Sequence, residues 1–161
     1  KLLDETGGYQ LYIVGDGVEK ERIKSFIREN KLQQVKMIDP IPKREIYSLL
    51  RKADLLWAGM IDSPLYQYGF SFNKLFDYMA VKKPIILSTP YRGTLIEKSG
   101  GGFEIDAHDP KKLAAKIKEV KRIPEIERDK IGQLAHSFLI ENFTTEKVTR
   151  KLIDEVLIAN K

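Results

Sequence analysis

The 161-residue chain has no cysteine, one tryptophan and two histidines, and none of its apolar runs is long. Without cysteine there is neither a disulfide frame nor a thiolate metal site, which suits a cytoplasmic protein. His108 and His136 stand far apart and lack an HxxxH spacing, so no zinc centre is expected. No apolar run approaches the roughly 20 residues of a membrane span. A signal-peptide pattern is missing too. The chain starts Lys1-Leu-Leu-Asp-Glu without an initiator Met, which reads as the tail of a helix belonging to a longer protein. Also absent are a Walker phosphate loop, internal repeats and low-complexity segments. What is present, 42% hydrophobic and 32% charged residues, is the make-up of a soluble globular protein with a core, read as one domain over 1–161. The net charge of +5 favours anionic partners in general. No basic block with interleaved aromatics occurs, so nucleic acid is not an expected partner.

Strand and helix patterns alternate. Leu11-Tyr-Ile-Val14, between Gly7-Gly8 and Gly15-Asp-Gly17, reads as a buried parallel strand, and Val18 to about Asn30 as a helix with Ile23, Phe26 and Ile27 at helical spacing. Val35–Ile38 is a second strand, Lys43–Lys52 a helix with Ile46, Leu49 and Leu50 inward, and Asp54–Trp57 a third strand. An irregular loop from Ala58 to about Phe72 leads to a helix opening near Asn73, and Ile85-Ile86-Leu87 follows as a buried strand. Thr94–Ser99 is a short helix stopped by Gly100-Gly-Gly102, and Phe103–Ile105 a last strand. Helices over Pro110–Arg122, about Pro124–Glu141 and Thr145 to about Ala159 complete the chain. The fold class is therefore α/β: a Rossmann-like open sheet of mainly parallel strands flanked by helices, with a helical C-terminal tail.

Three motifs bear on chemistry. Gly15-Asp16-Gly17 lies between a strand and a helix, where open α/β sheets bind ligands. The third glycine of a dinucleotide fingerprint is replaced by Lys20, so the pair is a weak signal and a plain tight turn explains it as well. Gly69-Phe-Ser71-Phe-Asn73 nearly matches a hydrolase elbow, with Asp106 and His108 in triad order. The closing glycine is missing, though, and a loop rather than a strand precedes the serine. Asn73-Lys74-Leu75-Phe76-Asp77 reads best as a helix start suited to phosphate. Asn73 is the candidate N-cap, Lys74 a flexible point charge, and Asp77 an acceptor-only group placed for sugar hydroxyls. An ordinary capped helix with a surface acid would use the same residue types.

The segments LYIVGDG, VKMIDPIPKREIYSLLRKADLLW, YGFSFNKLFDYMAVKKPIILS and GGGFEIDAHDPKKLAAKI resemble, in this order, the C-terminal domain of family-4 retaining glycosyltransferases of the GT-B fold. The likeness runs from about Leu11 to Leu157 and is closest to bacterial enzymes of surface-polysaccharide assembly. Their signature has the form G-x-S-P-N-K-L-x-(E or D)-Y-x-A-x-x-K-P. It implies a UDP- or GDP-linked sugar donor, no metal or other cofactor, and transfer with retention to a glycan or lipid-linked acceptor. The base would lie against the backbone at Ile38-Asp39-Pro40-Ile41, and Gly15 and Gly17 are counted among the donor-binding residues. Asp77 would bind the ribose hydroxyls without acting as a nucleophile. Backbone amides from Gly69, Phe70, Ser71, Phe72, Asn73 and Lys74 would face the diphosphate or the sugar.

The sequence departs from the family in three places. The acid expected eight residues before Asp77 is Gly69, Asp77 itself replaces Glu, and Phe72 stands where Pro is usual. The resemblance also implies that the family's first C-domain strand, its Arg or Lys phosphate contacts and the acceptor domain should precede Lys1, so that residues 1–161 alone are expected to be inactive. The missing strand would sit between those at Leu11 and Asp54, leaving a sheet that must close up, recruit another segment or borrow a strand. A lipid-linked acceptor suits a cytoplasmic protein with peripheral contact at the inner face of the membrane, although no docking helix is evident. Two other readings stay open: a nucleotide-binding module without catalysis, and a nucleotide-sugar epimerase of the same fold.

Overall fold

The computed structural model describes residues 8–64 and 72–158. Its elements run β1 (Leu11–Val14), α1 (Lys20–Glu29), β2 (Val35–Ile38), α2 (Lys43–Leu50), β3 (Leu56–Gly59), α3 (Asn73–Ala80), β4 (Ile85–Ser88), α4 (Leu95–Ser99), β5 (Gly102–Ile105), α5 (Pro110–Arg122), α6 (Glu125–Asn142) and α7 (Thr145–Ile158). The chain divides into two compact units, Lys1–Ser48 and Leu49–Lys161. Strands alternate with helices and every strand pairing is parallel, as expected for a Rossmann-like α/β fold with a helical tail. The described strands form two ladders, β1–β2 in the first unit and β3–β4–β5 in the second.

In the first unit β1 and β2 pair from Leu11↔Val35 to Val14↔Ile38. The expectation that β1 is buried does not hold, since Leu11 is 41% and Tyr12 48% exposed. A two-stranded ladder has no central strand, so neither β1 nor β2 is paired on both sides. Those helices carry the expected apolar spacing but bury no residue fully, and Phe26 is 58% exposed.

The second unit holds the core. β4 is flanked on both sides, and all four of its residues are buried. Side-chain alternation puts Ile86 and Ser88 on one face, with Ile105 of β5, and Val120 of α5 packs there with Leu113 and Ile117 around it. On α3, Leu75 and Met79 are fully buried, as are Ile96 of α4 and Ala135 of α6. The third strand begins two residues later than the sequence suggests. Its ladder starts only opposite Ile85, after Pro84, whose carbonyl accepts from the Leu56 N–H at 3.0 Å.

Glycines set two close approaches. A Cβ at Gly101 would lie 2.2 Å from the Ala135 Cβ, and one at Gly132 would lie 2.2 Å from the Lys82 carbonyl oxygen. α6 therefore packs against the turn between α3 and β4 only because residue 132 has no side chain. The glycine run after α4 acts as a helix stop, as expected. Gly100 takes the left-handed C-cap conformation with φ 65°, while Thr94 caps the other end by accepting from the Ile96 N–H at 3.1 Å.

Candidate functional site

Each unit presents polar residues at the carboxyl ends of its parallel strands, the edge where such sheets bind ligands. In the first unit the chain turns after β1 through Gly15, whose φ of 135° requires glycine, and the Gly15 N–H bonds the Ile38 carbonyl at 3.1 Å. The Asp16 carboxylate accepts from the Gly17 N–H at 2.9 Å. Lys20 opens α1 and reaches both Asp16 (3.4 Å) and Asp39 (3.0 Å), so one ammonium ties the β1–α1 turn to the end of β2. That hydrogen bonding holds both carboxyls below their ordinary range, Asp16 chiefly through the Gly17 amide and Asp39 chiefly through Lys20. Asp39 in turn raises Lys20. A shallow groove of about 170 Å³ runs here, lined by Val14, Gly15, Asp16, Gly17, Lys20 and Met37. The structure thus gathers Gly15, Gly17, Ile38 and Asp39 at one strand end, with half-buried Ile41 three residues beyond β2. Sequence reasoning saw Lys20 only as a missing glycine. The Asp16–Lys20 spacing of four was the available signal.

In the second unit α3 opens at Asn73, close to the expected position. Asn73 is not the N-cap, however. Phe72 holds that place with φ −105° and ψ 76°, without a side-chain cap. Asn73 is thus the first helical residue, its side chain exposed, and the Leu75 N–H bonds the Phe72 carbonyl at 2.8 Å. Lys74 Nζ lies 5.5 Å from the Phe72 ring centroid, a cation–π distance. Asp77 sits one turn in, half-buried beside Tyr78. The Tyr78 hydroxyl donates to the Trp57 carbonyl at 3.3 Å, tying α3 to β3, and burial raises its pKa with the Asp77 charge adding to the shift. Phe76 meets Phe143 at 5.3 Å, bracing α3 from the side of α6. Gly69, Phe70 and Ser71, expected to face the diphosphate or the sugar, lie outside the described residues.

Beyond β4 and β5 is a network that the sequence did not reveal. Trp57 Nε1 donates to Ser88 Oγ at 2.9 Å, and Tyr91 bonds Asp62 and Ser63. Arg92 and Lys112 both engage Asp106, whose pKa falls to about 2, first through Lys112 and then through Arg92. The acid considered above for a hydrolase triad is therefore occupied by two cations. An open groove of about 290 Å³ beside them is lined by Arg92, Glu104, Asp106, Lys112, Lys116 and Glu119. Its charges largely satisfy one another, since Lys116 pairs with Glu119 at 2.7 Å. None of the residues expected to hold a donor lines it.

Comparison with known proteins gives this geometry a family. The model of the family described as glycosyl transferases group 1 matches residues 1–137. Comparison with curated protein sequences finds no match. Among solved structures, a sucrose-phosphate synthase from Thermosynechococcus elongatus superposes with a TM-score of 0.79 at 18% identity, covering 99% of this chain and 41% of that one. A glycosyltransferase from Rickettsia africae gives 0.76 at 23% identity, covering 93% and 40%. HepE from Anabaena, solved in complex with UDP, gives 0.70 at 17%, covering 92% and 40%. The chain spans about two fifths of the length of these relatives. Among the described residues no helix is long and apolar enough to cross a membrane. The fold is that of GT-B glycosyltransferases, and with the family model matching residues 1–137, the chain belongs to the group 1 glycosyl transferases.

Proposed function

We propose that this chain binds the nucleotide-sugar donor of a retaining, family-4-like glycosyltransferase of surface-polysaccharide assembly, with UDP as the carrier. The observation that carries the reading is the opening of α3. Asn73 and Lys74 occupy its first turn and Asp77 its second, in a chain of a glycosyltransferase family. The dipole of a helix start favours phosphate, Lys74 adds a charge there, and a carboxylate one turn in accepts ribose hydroxyls. The UDP bound to HepE supports the choice of base.

The chemistry assigned to this chain is positional and electrostatic. It holds the diphosphate and stabilises the charge that develops as the sugar leaves, with no metal and no covalent nucleophile from these residues. Donor binding without sugar transfer is expected of residues 1–161 by themselves, since they correspond to two fifths of the relatives' length. The acceptor, a glycan or lipid-linked sugar, is assigned to the rest of the enzyme, in the cytoplasm at the inner face of the membrane.

Titration calorimetry with UDP and GDP tests the reading. Saturable UDP binding supports it, and no binding of either nucleotide at millimolar concentration would remove it. Incubation with a UDP-sugar alone separates the neighbouring possibilities. Interconversion of the free donor would point to an epimerase, and sugar transfer by residues 1–161 would overturn the assignment of the acceptor elsewhere.

A further inference from the structure

We infer that Asp62, oriented by Tyr91, accepts hydroxyls of the donor's sugar and so sets which sugar the site takes, an inference that rests on the donor reading above. Asp62 follows β3, and Tyr91 follows β4, at neighbouring carboxyl ends of one parallel ladder. That ladder continues past the strands, because the Met60 N–H bonds the Ser88 carbonyl at 2.8 Å. Asp62 lies only two residues beyond this last rung.

Tyr91 is held from behind. The Thr89 N–H bonds the Ile105 carbonyl at 2.9 Å, and the fully buried Thr89 hydroxyl accepts from the Tyr91 N–H at 3.0 Å. From this anchor the Tyr91 hydroxyl accepts from the Ser63 N–H at 3.2 Å. Among the described residues its proton can go to the Ser63 carbonyl at 3.0 Å or to Asp62 Oδ1 at 3.2 Å. These contacts tie the chain after β3 to Tyr91, and Asp62 itself is exposed.

Among the described residues no cation pairs with Asp62, unlike Asp16, Asp39 and Asp106. An ionised carboxylate offers up to four acceptor positions, and vicinal sugar hydroxyls are paired donors that match it.

The test compares UDP with UDP-glucose, UDP-galactose and UDP-N-acetylglucosamine on the unaltered protein, Asp62→Asn and Tyr91→Phe, with affinities read by calorimetry. For at least one sugar, Asp62→Asn should raise the ratio of UDP-sugar to UDP dissociation constants about tenfold, with UDP affinity kept within about twofold. Tyr91→Phe should move the same ratio in the same direction by less. A general structural defect would weaken UDP and the UDP-sugars alike, so equal weakening overturns the inference, as does an unchanged ratio for all three sugars. Failure of the unaltered protein to bind UDP would bring down the donor reading itself, and this inference with it.

Discussion

The two units use similar apolar runs to different ends. Leu11-Tyr-Ile-Val14 and Ile85-Ile86-Leu87-Ser88 look alike as sequences, and both become parallel strands. The first lies in a two-stranded ladder with Leu11 and Tyr12 nearly half exposed, whereas the second is central in its ladder and wholly buried. An apolar run thus specifies extended backbone, while burial is decided by what lies on either side. Stability should be concentrated in the second unit, with the first contributing a polar strand-end surface tied by Lys20.

Truncations of matched chemistry put that contrast at risk. Trp57 is the only tryptophan and lies in the second unit, so its fluorescence during denaturant unfolding follows that unit. Leu75→Ala, at a fully buried site, should lower the stability read this way by about 2–5 kcal/mol. Phe26→Ala removes a larger side chain from the first unit, yet it should leave the Trp57 transition within about 0.5 kcal/mol of the unaltered protein, because Phe26 is mostly exposed. Comparable losses from the two would erase the distinction.

Gly132→Ala comes next. The new methyl would meet the Lys82 carbonyl, a backbone atom that cannot swing aside, so α6 or the turn must shift at about 1–3 kcal/mol. A methyl accepted without change in the Trp57 midpoint would show that the approach of α6 is not a constraint.

The smallest effect is electrostatic and depends on pH. Asp106 has a folded pKa of about 2 against an ordinary 3.8, set by Lys112 and Arg92. A depressed carboxylate stabilises the fold above its unfolded value, and that contribution disappears as pH falls through the folded one. Asp106→Asn should therefore be slightly less stable than the unaltered protein near neutral pH, and the two should converge between about pH 4 and pH 2. The gap should be small and shrink further in salt, because the pair is half exposed. A gap that widened in acid would contradict the assignment.

Much of this was legible in the sequence because the signals were local. Period, glycine stops and the Pro110 helix start place the five strands and seven helices of the described residues close to where they lie, and the NKLFDY segment opens α3 as expected. Two kinds of feature were not legible. Caps depend on a single dihedral pair, so Asn73 looks like an N-cap although Phe72 takes the position. Contacts such as Tyr91 with Asp62, or Arg92 with Asp106, join residues separated by 29 and 14 positions. Nothing in the spacing of such residues announces them; they follow from the parallel ladder that brings the strand ends together.

The claim at the centre is that α3 and its carboxylate hold a nucleotide. UDP affinity measured by calorimetry on the unaltered protein and on Asp77→Ala tests it most directly. Loss of a carboxylate that accepts ribose hydroxyls should weaken binding about tenfold or more, with the Trp57 unfolding midpoint nearly unmoved. Equal UDP affinity in the two proteins would remove Asp77 from the site and contradict the account.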